Sequence, residues 1–400
     1  MKKELELTSR NLKSSPMFHL SLSSKELFHS NFLSWLASLA KENGGKEYEA
    51  FKNIMKNCFG YDLPDKWDVK REYKNLDFCI TADDNIAFVL ENKVKSMPRK
   101  EQLDEYAERT PFCKKRILLS LATDFPCKEE LKKESEEKRK WEIVDYKRYS
   151  KALQDNLQYF QSYHADIIRD YSIYIEQLHN LTEEWALKTN DLYKRLLESP
   201  FENDDLRLND LYFKLSYSWL TQEIKKSLSN EGNAKYGIYI DGIKEVSKDN
   251  EPIYKAVEDG GNDIFVNAGF TRAQGFFEFK IKVTKNYCLG IQIQGRQYRH
   301  LIEWIKNGSQ NRDEYWNDTQ NETRANDILF LSFDENAKAQ YPECLPKENK
   351  RSSKHYCKYG DRFLYQYTTI TDDTTIEQII NAVVIDARRI IDAYKQNNCS

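Results

Sequence analysis

The chain has 400 residues, a formal net charge of -3, 40% hydrophobic residues and 31% charged residues. That length exceeds what one hydrophobic core usually fills, so two domains are expected, and the composition excludes a disordered chain. The near-neutral charge excludes a bulk positive field, so any nucleic-acid site has to be a local groove.

The first residues, "MKKELELTSRNLKSSP", contain no apolar leader segment, and no apolar run reaches the roughly 18 residues of a membrane span. The expectation is a cytoplasmic protein with no membrane partner. Eight cysteines, at 58, 79, 113, 127, 288, 344, 357 and 399, form no C-x-x-C pair and have no histidine at zinc-ligand spacing. They read as reduced structural thiols.

In chain order, "SSKELFHSNFLSWLASLAK" from Ser23 to Lys41 places Leu27, Phe28, Phe32, Leu36 and Leu39 near helical spacing, ahead of Gly44-Gly45. Three short runs follow, "WDVKREY" (67–73), "LDFCITA" (76–82) and "IAFVLENKV" (86–94), separated by turn-forming Lys74-Asn75 and Asp83-Asp84-Asn85. They predict a three-strand meander. Pro98, with Ser96 as a candidate cap, introduces a helix over "RKEQLDEYAERT". "RILLSLA" (116–122) and "WEIVDY" (141–146) read as further strands, with the charge run "KEELKKESEEKRK" between them as a solvated helix or loop.

Residues 149–196 read as one or two helices, and "ESPFENDDLRLND" as a boundary. The division predicted is a first domain over 1–195 and a second over 196–400. The second half carries β-type runs, "YGIYIDGI", "FFEFKIKV", "YCLGIQIQG", "DILFLSF" and "RFLYQYTTI", before a closing helix, "TIEQIINAVVIDARRIIDAYKQ". "IQIQGRQYRHLIEW" reads as a strand, a glycine turn and a helix with a polar start. The whole is α+β, with no repeat period.

The chemistry is concentrated in "NLDFCITADDNIAFVLENKVK". Side chains alternate along a strand, so Glu91 and Lys93 share a face while Asn92 points away and offers that face only its carbonyl. Hairpin pairing can bring Asp77 beside Glu91. Two adjacent carboxylates repel unless a cation joins them, and hard oxygen ligands suit Mg²⁺ or Mn²⁺. The tripeptide Glu-x-Lys itself is unspecific, since it also begins at Glu72, Glu130, Glu136, Glu223, Glu278 and Glu348. Context separates Glu91, which ends an apolar strand and follows Asp77. Its main rival, Glu278 with Lys280 behind Asp263, reads as an amphipathic strand with a charged solvent face. After Lys93 comes a helix on which Gln102 and Tyr106, four residues apart, share a face able to reach a phosphate.

With Asp77, Glu91, Lys93, Gln102 and Tyr106 in place, the segment resembles the PD-(D/E)XK nuclease superfamily, including the Q-x-x-x-Y extension of its RecB-type members. "KELFHSNFLSWL", "VKREY", "GIQIQG" and "YRHLIEWI" look more narrowly like a bacterial family of PD-(D/E)XK-like proteins. The resemblance implies an α/β, restriction-endonuclease-like core, a mixed sheet flanked by helices, beside a C-terminal α+β domain that could recognise substrate. It further implies a metal-dependent nuclease cutting DNA. Asp77, Glu91 and the Asn92 carbonyl would bind Mg²⁺ or Mn²⁺, and Lys93 would serve the attacking water. Leu76 stands where the motif's proline would be. RNA is the other polymer of the same chemistry, and a dimer is compatible with the pattern. The competing reading is an inactive nuclease-fold module that binds nucleic acid or a protein.

Other candidates have ordinary explanations beside functional ones. Glu26 on the first helix fits an auxiliary carboxylate, but Ser23-x-x-Glu26 is also a capping-box pattern. His29 on the same helix reads as structural. Glu72 could serve a second ion or be a surface charge, and Lys70 and Arg71 could touch phosphates or simply be solvated. Arg296, Arg299 and His300 are types that contact phosphates and bases, without an assigned catalytic role.

Overall fold

A computed structural model describes residues 26–94, 96–122, 127–137, 139–199, 208–229, 243–246, 252–255, 264–270, 275–282, 287–304, 341–345, 357–359 and 363–398, with Phe125 and isolated positions among the first 20. The chain forms two units, residues 1–186 with 201–215, and residues 187–200 with 216–400. Among the described residues no helix is long and apolar enough to cross a membrane, and the described cysteines are free thiols.

The first unit is built on a five-stranded sheet of β1 (Asp68–Tyr73), β2 (Leu76–Ala82), β3 (Asn85–Lys93), β4 (Lys115–Ser120) and β5 (Glu142–Asp145), in that spatial order. β1, β2 and β3 pair antiparallel, and β3, β4 and β5 pair parallel. Parallel neighbours need a crossover, and α3 (Lys100–Arg109) and α4 (Lys128–Lys133) supply the two. One face of the sheet packs Phe78, Phe88 and Leu90 against α1 (Glu26–Asn43), α2 (Gly45–Phe59), α5 (Tyr146–Gln154) and α6 (Ser162–Glu184). The other packs Cys79, Val89 and Leu118 against Leu103 and Tyr106 of α3 and Leu131 of α4. Covered on both faces, β3 and β4 read as continuous apolar runs rather than alternating ones.

Helix α2 is absent from the predicted elements, although Phe51, Ile54, Met55 and Cys58 carry its buried stripe. Gly44 and Gly45, both at positive φ, turn the chain from α1 into it, and Gly60 in the left-handed region ends it. Helix α3 begins at Lys100 after Arg99, so Ser96 is not its cap.

The second unit holds a six-stranded antiparallel sheet in the order β12 (Cys357–Tyr359), β13 (Phe363–Thr369), β11 (Gln297–Trp304), β10 (Tyr287–Gln294), β9 (Gly275–Lys282), β8 (Ile264–Phe270). A separate hairpin pairs β6 (Ile243–Val246) with β7 (Pro252–Lys255). One face of the large sheet, with Phe277, Phe279, Leu289, Ile291 and Ile302, packs on Leu220 and Ile224 and on Ile379, Val383 and Ile390 of the last helix (Ile376–Asn398). At Gly290 an added Cβ would stand 1.9 Å from the Phe279 carbonyl oxygen, so β10 approaches β9 as only glycine permits.

Two expectations are corrected here. "RQYRHLIEW" continues as strand β11, not a helix: its Tyr298, Leu301 and Ile302 mimic helical spacing, but the turn at Gly295-Arg296 folds it onto β10 while β13 pairs with its other edge. Glu278 and Lys280 do not face solvent; both are almost fully buried, with Lys280 Nζ 2.8 Å from Glu278 Oε2 and 2.5 Å from Glu303 Oε2. The second face of the sheet is buried around these residues, which turns an expected surface pair into an internal charge cluster. The candidate strands "YGIYIDGI", all but its last residue, and "DILFLSF" lie outside the described residues, as does Asp263.

Candidate active site

The site is set by the end of the β2–β3 hairpin. Phe78 pairs with Leu90, and a bulge near Ile80 and Thr81 shifts the register only on the turn side, away from the acids. One step beyond Phe78, the Asp77 side chain enters the sheet's hydrogen bonding: its Oδ2 accepts from the Asn92 amide at 2.8 Å. Alternation then places Glu91 and Lys93 on the face shared by Val89 and Cys79, under α3.

Glu91, Asn92 and Lys93 are all buried. Lys93 Nζ lies 2.8 Å from Glu91 Oε1, while Glu91 Oε2 is buried without a hydrogen-bond partner among the described residues. Burial first and the Asp77 charge second push the Glu91 carboxyl up to about 7, against the opposing pull of Lys93. Burial also raises the Asp77 carboxyl, helped by the charges of Glu26 and Glu72 and opposed by the Asn92 amide and Lys93. For Lys93, burial works against the charged form, but the Glu91 carboxylate outweighs it and holds the ammonium above its ordinary range. Lys93 is therefore a fixed cation at neutral pH.

Asn92 turns its side chain to the opposite face, as alternation requires. Its Nδ2 donates to the Glu26 carbonyl oxygen at 3.0 Å, and the buried Tyr146 hydroxyl donates to its Oδ1. Tyr146 sits at the start of α5 directly after β5, a support that sequence reasoning missed. An aromatic residue closing "WEIVD" was the available signal.

The remaining candidates divide. Tyr106 lies under the site: burial and then the Glu91 charge raise its phenol, and Gln102 Nε2 donates to its hydroxyl at 2.8 Å. Glu26 reaches the same region in a holding role. Its Oε1 accepts from the Val94 amide (3.1 Å), the Ser96 amide (2.8 Å) and the Ser96 hydroxyl (2.6 Å), clamping the segment that leaves β3 for α3. Ser23 lies outside the described residues. Replacing Glu26 by Ala is expected to cost about 2 kcal/mol, because two backbone amides lose a charged acceptor. Urea unfolding measures this, and Glu26→Gln, which still accepts, should recover most of it.

Glu72 is exposed on edge strand β1, 3.5 Å from Arg71, with a φ of 49° unusual for a glutamate. Lys70 and Lys74 flank the Tyr73 ring, with their Nζ atoms 4.6 Å and 5.4 Å from its centroid. Lys70 pairs across the strands with Cys79 and so shares the face of Asp77 and Glu91, whereas Lys74 lies in the β1–β2 turn. His29 is buried among Phe28, Tyr146, Tyr171 and Tyr174, and burial lowers it to about 3, so it is a neutral core residue. Arg296, exposed, pairs with Asp372, and His300 lies buried 2.6 Å from Asp386.

Among the described residues no group of three His, Cys, Asp or Glu side chains is placed to hold a metal. A donor set of two carboxylates and a backbone carbonyl is a different arrangement, and two features fit it to a hard cation. Glu91 carries a buried oxygen with no partner among the described residues, and both acids are driven toward protonation, Glu91 by burial and the Asp77 charge and Asp77 chiefly by burial. A divalent ion would relieve both.

No curated protein and no solved structure matches the chain. The model of the PD-(D/E)XK nuclease superfamily matches residues 17–240, more than half of the sequence. That span contains the whole mixed sheet and every residue gathered at its β2–β3 edge, and the chain belongs to the PD-(D/E)XK nuclease superfamily.

Proposed function

We propose that this chain is a metal-dependent nuclease that hydrolyses phosphodiester bonds in DNA. The observation that carries the reading is the convergence of Asp77, Glu91 and Lys93 on one face, with a Glu91 oxygen buried and unpartnered. Asp77, Glu91 and the Asn92 carbonyl would hold Mg²⁺ or Mn²⁺. When bound, the ion supplies Lewis-acid polarisation of the phosphodiester and a more acidic water.

The chain's own residues do the rest. Lys93, kept protonated by Glu91, orients water through its N–H donors and offsets the negative charge that grows on the phosphate oxygens. Gln102 and Tyr106 face the scissile segment from α3. Lys70 and Lys74, exposed on either side of Tyr73, would add the local positive charge that a polyanion requires of a near-neutral protein. The second domain, from about residue 196, would guide the substrate.

The test is incubation of linear and circular DNA with the protein and Mg²⁺ or Mn²⁺. Cleavage should need the ion and disappear in Asp77→Asn. Equal cutting by that variant, or none by the wild type with either ion, would reject the proposal.

A further inference from the structure

On the face of the second sheet turned away from its hydrophobic core, cross-strand pairing lines up Asn267, Glu278, Gln292, Arg299 and Tyr367 in one row over five strands. The row is polar throughout, and its charges are handled in two ways. Deep in the face, Lys280 is buried between two carboxylates, Glu278 and Glu303. Nearer its rim, Arg299 is half-buried and bonds only neutral amides among the described residues. It donates to Gln292 Oε1 at 2.6 Å, Gln294 Oε1 at 2.7 Å and Gln297 Oε1 at 2.7 Å. Its guanidinium lies 4.5 Å from the centroid of the Tyr365 ring. Three amide oxygens and an aromatic face thus fix the fork in place and leave its charge without an anion among the described residues.

Aromatic rings surround that cation. Phe363, Tyr365 and Tyr367 alternate onto this face of β13 and are all half-buried, with the two tyrosine centroids 6.3 Å apart. Tyr359 on the neighbouring β12, 69% exposed, extends the strip beside Phe363. A pre-set guanidinium answers a phosphate, tyrosine rings answer the π-faces of bases, and fixed side-chain amides answer base edges. A duplex hides its base faces, so the occupant this chemistry fits is a single strand.

We infer that this sheet face binds single-stranded nucleic acid, stacking bases on Tyr365 and Tyr367 and meeting the backbone with Arg299. The site is separate from the acids of the first unit and needs no metal. Binding is therefore measured on the full chain in EDTA, where failure to cleave cannot be confused with failure to bind.

The experiment follows fluorescence anisotropy of labelled oligothymidylate and oligouridylate, with duplex DNA as competitor. Wild-type protein should bind a single strand, competed poorly by duplex, and the tighter of the two oligomers names the natural polymer. Arg299→Gln and Tyr367→Leu should each weaken binding about tenfold, the size of one lost stack or charged contact. Tyr359→Ser, a change at an exposed ring with little bearing on folding, should weaken it severalfold. Circular dichroism and melting check that each variant is folded. Folded variants that all bind as tightly as wild type, or a wild-type protein that binds neither oligomer, would overturn the inference.

Discussion

Lys93→Ala is expected to reduce metal-dependent DNA cleavage by about a thousandfold, the usual scale for removing one pre-positioned group that stabilises charge in the transition state. The substitution removes the cation 2.8 Å from Glu91 and leaves two buried carboxyls with less to oppose their mutual repulsion. Glu91 then protonates more readily, so the variant should fold near neutral pH and lose stability in alkaline solution, where it must bury a charge. Breaking a buried pair by deleting one partner costs about 3 to 5 kcal/mol when the survivor stays ionised. Lys93→Met, which keeps the apolar stem, separates the two effects: it should retain packing and still lose activity. Cleavage rates and melting curves at about pH 6 and about pH 9 give both answers, and undiminished cutting by either variant would remove Lys93 from the mechanism.

The second large effect is a coupling between protons and the divalent ion. In the metal-free protein the Glu91 carboxyl titrates at about 7 against an ordinary 4.5. Between those values the folded state keeps a proton that the unfolded chain has released. Stability therefore falls as pH rises through that window and stays low above it, by about 3 kcal/mol from Glu91 alone. Asp77, displaced in the same direction, adds to the trend. A cation takes the place of the proton. Mg²⁺ or Mn²⁺ should stabilise the protein strongly at about pH 8 and weakly at about pH 5.5, with apparent affinity dropping roughly tenfold for each pH unit below 7. Thermal shift titrations at the two pH values test this. An equal metal response at both, or none at either, would show that the two acids do not share an ion.

The residues that make the candidate site were legible because strand alternation is a strict rule. Placing Glu91 and Lys93 together and Asn92 apart needed only the strand, and the structure keeps that arrangement. The apolar runs of β2, β3 and β4 and their turn residues gave the sheet its order. The Glu26 clamp was not legible, since its partners Val94 and Ser96 lie about 70 residues away and only tertiary docking brings them within reach. The strand β11 was hidden by spacing that also suits a helix, and its pairing on both edges decided the matter. Burial of Glu278 and Lys280 was not legible for a related reason: alternation reveals that a strand has two faces, but not which stretch of the second face is buried. Helix α2 was a different case, because its stripe of Phe51, Ile54, Met55 and Cys58 stands in the sequence.

The bond from the Asn92 amide to Asp77 has an evolutionary consequence. Because the carboxylate completes the sheet's backbone bonding, a chain that abandoned catalysis would still be under selection at position 77 for an acceptor. An alanine there orphans a buried N–H at about 1 to 3 kcal/mol, whereas asparagine can still accept it. Descendants that have lost the reaction are therefore expected to drift from Asp77 to Asn sooner than to an apolar residue, while Glu91 is held by its buried pair with Lys93 until that lysine is replaced as well.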